Sequence, residues 1–299
     1  MFLLMTTDQA SAESATVDLP QGTVAYRAAG PATSNHPPVV LVHGLLVDAR
    51  LWAAVADRLA ADGIRSYTPT LPLGSHQRPM NADADLSPQG VATIALDFIR
   101  ALDLTDVTIA GNDTGGAICQ VMLGADTSRI SALVLTDCDA LGTFPPMSLA
   151  PLFQALRHPG LVSVIAATLR PKAMRHGPLA YGPLAQSLDP ALTLDWIQSL
   201  SNPEIRRDLA KFARAVHPRV LLDAATRFGE FPGPVRILWG EADSMFRMKL
   251  ARELQAAFPN ATLATVPGGR TFLPLDHPGK VADEITAAAR NARQPRPAS

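Results

Sequence analysis

The chain has 299 residues, 47% of them hydrophobic and 18% charged, enough for one α/β domain with a sizeable core and an inserted subdomain. Lys plus Arg number 26 against 27 Asp plus Glu, a net charge of −1, which excludes a general electrostatic attraction to nucleic acid or to an anionic membrane. The opening MFLLM is a short apolar run with no basic flank, soon followed by Asp8 and Glu13, and no window reaches membrane-spanning length, so a cytoplasmic protein is expected.

Taken in chain order, strand-like runs alternate with helix-like runs, the pattern of a mostly parallel sheet. Residues 16–19 and 22–28 form an opening pair of strands. PVVLV over 38–42 is a continuous apolar run ending in His43-Gly44, as a strand buried on both faces would be. Residues 50–61 place Leu51, Val55 and Leu59 on one helical face, and 64–70 form another strand. Ser87-Pro88 is a helix start, a hydroxyl N-cap before a proline at the first helical position. VTIA over 107–110 predicts a strand, residues 114–124 a small-residue helix, and ISALVLT over 130–136 the next strand. From Leu141 prolines are frequent and strand signals vanish, so 141–230 is expected to be a helical insertion separating a first core segment, 1–140, from a second, 231–290. The second segment offers a strand at 235–239, a helix at 247–258, a strand at 262–266 and a last helix after Pro278. The polar tail 291–299 is expected to be disordered. Cys119 and Cys138 sit in apolar segments and are expected as buried thiols.

The sharpest signal is VTIAGNDTGGAICQ, a strand–turn–helix junction of the pattern small-x-nucleophile-x-small. A nucleophile on so tight a turn needs small neighbours so that the backbones can approach, and Asp113 then projects above the sheet at the positive end of a helix. The alternative is an ordinary βα loop in which Asp113 or Thr114 caps the helix. No G-x-S-x-G occurs in the chain.

HGLLVDARLW, GNDTGG and ILWGEADSMF, in this order, resemble the α/β-hydrolase superfamily, and the likeness covers nearly the whole chain. It implies a mostly parallel central sheet flanked by helices, with a helical cap inserted after the sixth strand. The aspartate at the turn is similar to that of haloalkane dehalogenases, fluoroacetate dehalogenases and epoxide hydrolases, in which a carboxylate forms an ester that activated water hydrolyses. The resemblance makes Asp113 the nucleophile, the amides of Thr114 and Leu45 the oxyanion donors and Asp243 the supporting acid, with Asp137 or Asp139 as alternatives for that acid. His43 is expected to be structural.

The family pattern departs at the base. Where Gly-His-Phe-x-Pro is expected, the chain reads Gly269-Arg270-Thr271-Phe272-Leu273-Pro274, with Thr271 in the histidine slot and Arg270 beside it. Neither accepts a proton near neutral pH. His277 precedes Pro278 and is expected as the N-cap of the last helix, which leaves His76 as the best-placed substitute base. Tyr181, Trp196 and Phe144 are candidate pocket residues of the cap. Tyr181 is the only tyrosine there, where epoxide hydrolases carry two, and Thr114 replaces the tryptophan that follows the nucleophile in haloalkane dehalogenases.

The expected activity is a dehalogenase-like or epoxide-hydrolase-like hydrolase acting on a small, largely apolar substrate. The alternatives are a binding protein without turnover and a cofactor-free lyase or isomerase with Asp113 as base. No cofactor, metal, nucleic acid or membrane partner is expected, and the chain is read as a monomer or homodimer.

Overall fold

The alternating apolar runs assemble into an eight-stranded sheet in the computed structural model, which describes residues 12–292. The strands are β1 (Glu13–Leu19), β2 (Gly22–Ala29), β3 (Val39–Val42), β4 (Ser66–Pro69), β5 (Val107–Asp113), β6 (Ile130–Cys138), β7 (Val235–Gly240) and β8 (Ala261–Val266), in the spatial order β1-β2-β4-β3-β5-β6-β7-β8. β1, β2 and β4 pair antiparallel, and from β4 through β8 every pairing is parallel. β3 is buried along its whole length, and β5 and β6 nearly so, which explains their unbroken apolar sequences.

Helices cover both faces. In the first core segment they are α1 (Ala53–Ala61), α2 (Pro88–Ala101) and α3 (Thr114–Ala125). Ser87 caps α2 by accepting from the Gly90 amide. α1 is shorter than its apolar periodicity predicts, because Ala49–Trp52 winds as a 3-10 turn with Asp48 accepting from the Arg50 amide. The insertion is helical: α4 (Ala150–Leu156), α5 (Pro159–Leu169), α6 (Lys172–Arg175), α7 (Pro190–Gln198), α8 (Pro203–Ala215) and α9 (Pro218–Ala225). The last of these packs on α3 of the core, with Ala224 against Gly124. α10 (Met248–Ala257), α11 (Leu273–Asp276) and α12 (Pro278–Asn291) complete the fold. The tail expected to be disordered lies, beyond residue 292, outside the described residues. Cys119 and Cys138 are free and buried.

Two properties of the insertion stand out. Between Asp139 and Asp189 there is no acidic residue, while Arg157, Arg170, Lys172 and Arg175 are basic. α5 has no charged side chain, yet only Val162 of it is fully buried, and Leu161 and Val164 face outward. No single helix among the described residues is long and apolar enough to cross a membrane.

The topology brings the carboxyl ends of β3, β5, β6 and β7 side by side, so the loops after them share one crest of the sheet. Such a crest is where open α/β sheets bind ligands. The junction of β5 and α3 is the tightest point. A methyl group on Gly115 would overlap the carbonyl oxygens of Val42 and His43, so only glycine lets the start of α3 pass the end of β3. Gly115→Ala is expected to lower the urea unfolding midpoint, at a cost of about 1–3 kcal/mol. Gly142→Ala, which meets open space, is the control expected to leave the midpoint unchanged.

Candidate active site

Asp113 ends β5 with φ +54° and ψ −133°, a conformation that an L-residue adopts only under constraint. Its side chain does not cap α3, so the alternative reading of an ordinary capped βα loop does not describe this turn. The carboxylate instead enters a cavity of about 450 Å³ between the sheet crest and the cap. Leu46, Leu149, Leu152, Phe153, Ile165 and Leu184 supply much of its apolar wall, and Thr114, Asp139, Ser148 and Tyr181 the polar part.

The loop after β3 fixes one side of the carboxylate. His43 is fully buried, and its two ring nitrogens meet the Gly44 carbonyl at 2.8 Å and the Leu71 amide at 2.9 Å. A carbonyl needs a donor and an amide an acceptor, so Nδ1 carries the proton and Nε2 accepts. Burial lowers the His43 pKa to about 4, which keeps the ring neutral in this role. The loop so held aims the Leu45 amide at Asp113 Oδ2, 3.1 Å away. Gly44 leaves room, since a methyl group there would overlap the Asp113 carboxylate.

On the other side, Asp139 follows β6. Thr114 Oγ1 donates to Asp139 Oδ2 at 3.2 Å, while Asp139 Oδ1 is buried with no hydrogen-bond partner. Burial, then the charge of Asp113, push the Asp139 carboxyl well above the usual carboxylate range. Burial also raises the Asp113 pKa to about 7, helped by the charge of Asp243 and opposed by the Thr114 and Leu45 amides.

Behind this pair lie two more buried acids. Asp243 Oδ1 accepts from the Met245 and Phe246 amides at 2.6 and 2.9 Å, and Asp137 Oδ1 accepts from the Gly240 amide at 2.9 Å. Their remaining oxygens have no hydrogen-bond partner, and the two carboxyls act on each other directly. Burial is the first cause raising both, and for Asp137 the neighbouring Asp243 charge adds to it. Thr271 is buried beside them, close enough for its hydroxyl to favour the charged form of Asp243. The Thr271 carbonyl accepts from Asn112 Nδ2 at 2.7 Å.

Over residues 39–284 the sequence matches the alpha/beta hydrolase family. The chain belongs to that family. Among curated relatives it is 27% identical over 233 residues to a 2-hydroxy-6-oxononadienedioate/2-hydroxy-6-oxononatrienedioate hydrolase of Cupriavidus pinatubonensis, covering 75% of this chain and 77% of that protein. It is 25% identical over 266 residues to haloalkane dehalogenase 2 of Mycobacterium tuberculosis, covering 83% of this chain and 86% of that protein. The crystal structure of haloalkane dehalogenase DbeA from Bradyrhizobium elkani superposes with a TM-score of 0.76 at 17% identity, covering 94% and 98% of the two chains, which shows the shared fold.

Several residues of this α/β hydrolase sit elsewhere than their sequence suggests. His76 is buried and does not line the cavity; Nε2 pairs with Asp208 Oδ2 of α8 at 3.2 Å. Burial lowers its pKa despite that partner. The ring fastens the cap and is no base for Asp113. Arg270 is likewise structural, donating to the Ala185 carbonyl at 2.9 Å. Trp196 and Phe144 are fully buried outside the cavity wall, and Trp196 Nε1 donates to Asp48 Oδ1 at 3.1 Å. Tyr181 does line the cavity, but its hydroxyl is committed to the Leu46 carbonyl at 2.5 Å. His277 takes the N-cap position of α12 without a side-chain capping bond.

Asn112 is the residue that sequence reasoning passed over. Its amide also donates to the Thr136 hydroxyl at 3.0 Å, so one side chain ties β5 to β6 and to the loop after β8. The available signal was a buried amide immediately before Asp113, where an apolar residue would otherwise continue the strand.

The Asp137–Asp243 contact gives a pH test. The folded chain holds the Asp137 proton well above the usual carboxylate pKa, whereas the unfolded chain releases it near pH 4. Stability from this group is therefore complete below about pH 4 and declines as pH rises toward the folded value. Asp137→Asn keeps the acceptor for Gly240 and removes the ionisation. The variant is expected to melt about 2–4 °C above the wild type at pH 8, with the difference gone near pH 3.5, by differential scanning calorimetry.

Proposed function

We propose that this α/β hydrolase acts on a small, largely apolar substrate by attack of the Asp113 carboxylate on a carbon centre, forming an ester on the enzyme that water then cleaves. The observation that carries the reading is the placement of Asp113. A strained turn holds its carboxylate in an apolar cavity of about 450 Å³, with the Leu45 amide on one oxygen. A carboxylate spent only on structure has no need of that turn or of that cavity. The sequence relation to haloalkane dehalogenase 2 agrees with displacement at carbon. Nucleophilic attack needs the ionised carboxylate, and with its pKa raised to about 7 Asp113 ionises across the neutral range.

The amides of Leu45 and Thr114 are the donors placed to hold the oxyanion that forms when water adds to the Asp113 ester. Asp243 lies deeper. Its charge bears on Asp113 without lining the cavity, so it serves the site as an electrostatic neighbour.

The same raised pKa would suit Asp113 as a general base, and one measurement separates the two readings. Intact-mass spectrometry is run after incubation with a panel of terminal epoxides and primary haloalkanes. The nucleophilic reading expects a covalent increment that maps to Asp113 and is absent from Asp113→Asn. An increment on another residue, or turnover unchanged in Asp113→Asn, rejects it. Solvent deuterium entering unreacted substrate with no increment favours the base.

A further inference from the structure

We infer that Asp139 is the proton donor and then the proton acceptor of the Asp113 reaction, and that the site is consequently built to turn over epoxides and not haloalkanes. This rests on the reading of Asp113 as nucleophile.

The cavity wall holds few titratable groups. Its ionisable side chains are Asp113, Asp139 and Tyr181. No histidine, lysine or arginine is among them. The Tyr181 hydroxyl is held by the Leu46 carbonyl, and burial raises its pKa far above neutral. That leaves Asp139 as the one group besides the nucleophile able to exchange a proton near pH 7.

Asp139 is also oriented for the work. One oxygen is fixed by the Thr114 hydroxyl, from the residue that follows the nucleophile. The other is buried without any partner, as is one oxygen each of Asp137 and Asp243, but of these three acids only Asp139 lines the cavity. With no partner in the protein, that oxygen is left to exchange a proton with a molecule bound in the cavity. Two carboxyls in one low-dielectric cavity resist ionising together, and burial raises both Asp113 and Asp139. The Leu45 amide on Asp113 Oδ2 favours the anion there, which leaves the proton to Asp139.

The proton balance then selects the substrate. Asp113 attacks an epoxide carbon, a C–O bond forms and the ring C–O bond breaks. The leaving oxygen takes the Asp139 proton. The products are a hydroxyalkyl ester on Asp113 and an ionised Asp139. Asp139 next removes a proton from water as that water adds to the ester carbonyl. Collapse of the tetrahedral intermediate expels the diol oxygen, which takes the proton of the newly formed Asp113 carboxyl. The diol leaves with Asp113 ionised and Asp139 protonated, as at the start. A haloalkane breaks this cycle. Halide departs as an anion and takes no proton; the ester removes the charge of Asp113, but burial, the larger cause, still holds the proton on Asp139, which then has no charge with which to activate water. The alkyl ester then persists.

The test uses the full-length protein with a terminal epoxide and a primary haloalkane of equal carbon count, followed by intact-mass spectrometry and product analysis. The wild type is expected to convert the epoxide to diol over many cycles, and to release about one equivalent of halide while retaining an alkyl increment on Asp113. Asp139→Asn, which preserves an acceptor for Thr114, is expected to slow diol formation by at least about 100-fold and to accumulate the ester from the epoxide as well. Its far-ultraviolet circular dichroism, compared with that of the wild type, reports the fold, and the comparison of the two substrates on the wild type needs no variant. Wild-type turnover of the haloalkane at the epoxide rate, or diol formation by Asp139→Asn at the wild-type rate, overturns the role of Asp139 while leaving Asp113 as nucleophile. Absence of any Asp113 increment and of any turnover with both substrates overturns both.

Discussion

The backbone of Asp113 is the constraint on which the site depends. A φ of +54° at a residue with a β-carbon costs on the order of 1–3 kcal/mol and persists only where its surroundings leave no alternative. Here they do so from both sides. Gly115 lets α3 begin against the end of β3, and Gly44 lets the next loop lie over the carboxylate. The Leu45 amide holds the side chain once it is there. The buried His43 ring supports that loop from beneath through the Gly44 carbonyl and the Leu71 amide. The strain, the glycines and the histidine form one device that delivers a carboxylate into an apolar space.

What surrounds the carboxylate is equally defined by what it contains. Asp137, Asp139 and Asp243 are all buried near Asp113, and burial is the first cause that raises each of them. Buried acids destabilise a fold at neutral pH unless they share protons or accept from amides. Donors meet each of them here, the Gly240, Met245 and Phe246 amides on the deeper pair and a hydroxyl on Asp139. Thr271 is buried beside the deeper pair, and its carbonyl accepts from Asn112. The amide of Asn112 thus connects the strand that ends in Asp113 to the loop after β8.

Much of this was legible in the sequence because it is written locally. Strand positions follow from unbroken apolar runs such as Val39–Val42, and the turn at Asp113 from the small residues around it. The order of three short motifs was enough to give the fold. The cap was harder. His76 was placed near the site because its loop follows a strand, but the residue that claims it, Asp208, lies 132 positions away. No local pattern records such a pairing. Trp196 and Phe144 suggest pocket residues because they are aromatic and belong to the insertion. Aromatic side chains fill the interior of a small helical layer as readily as they line a cavity, and only the packing tells these apart. Asp139 was visible as one of two acids at a strand end. Its partnerless oxygen and its neighbourhood with Asp113 were not, since both depend on how the β5 and β6 ends are staggered.

The acid-free stretch between Asp139 and Asp189 gives the molecule an uneven electric field. Its four cations amount to +4, so the chain's −1 less that +4 leaves −5 on the remainder. Near neutrality in total therefore hides an uneven distribution along the chain, with a positive stretch inside the insertion and a net negative remainder. Such charges act within roughly 8–10 Å of the surface at physiological salt, and mobile ions largely cancel them beyond that distance.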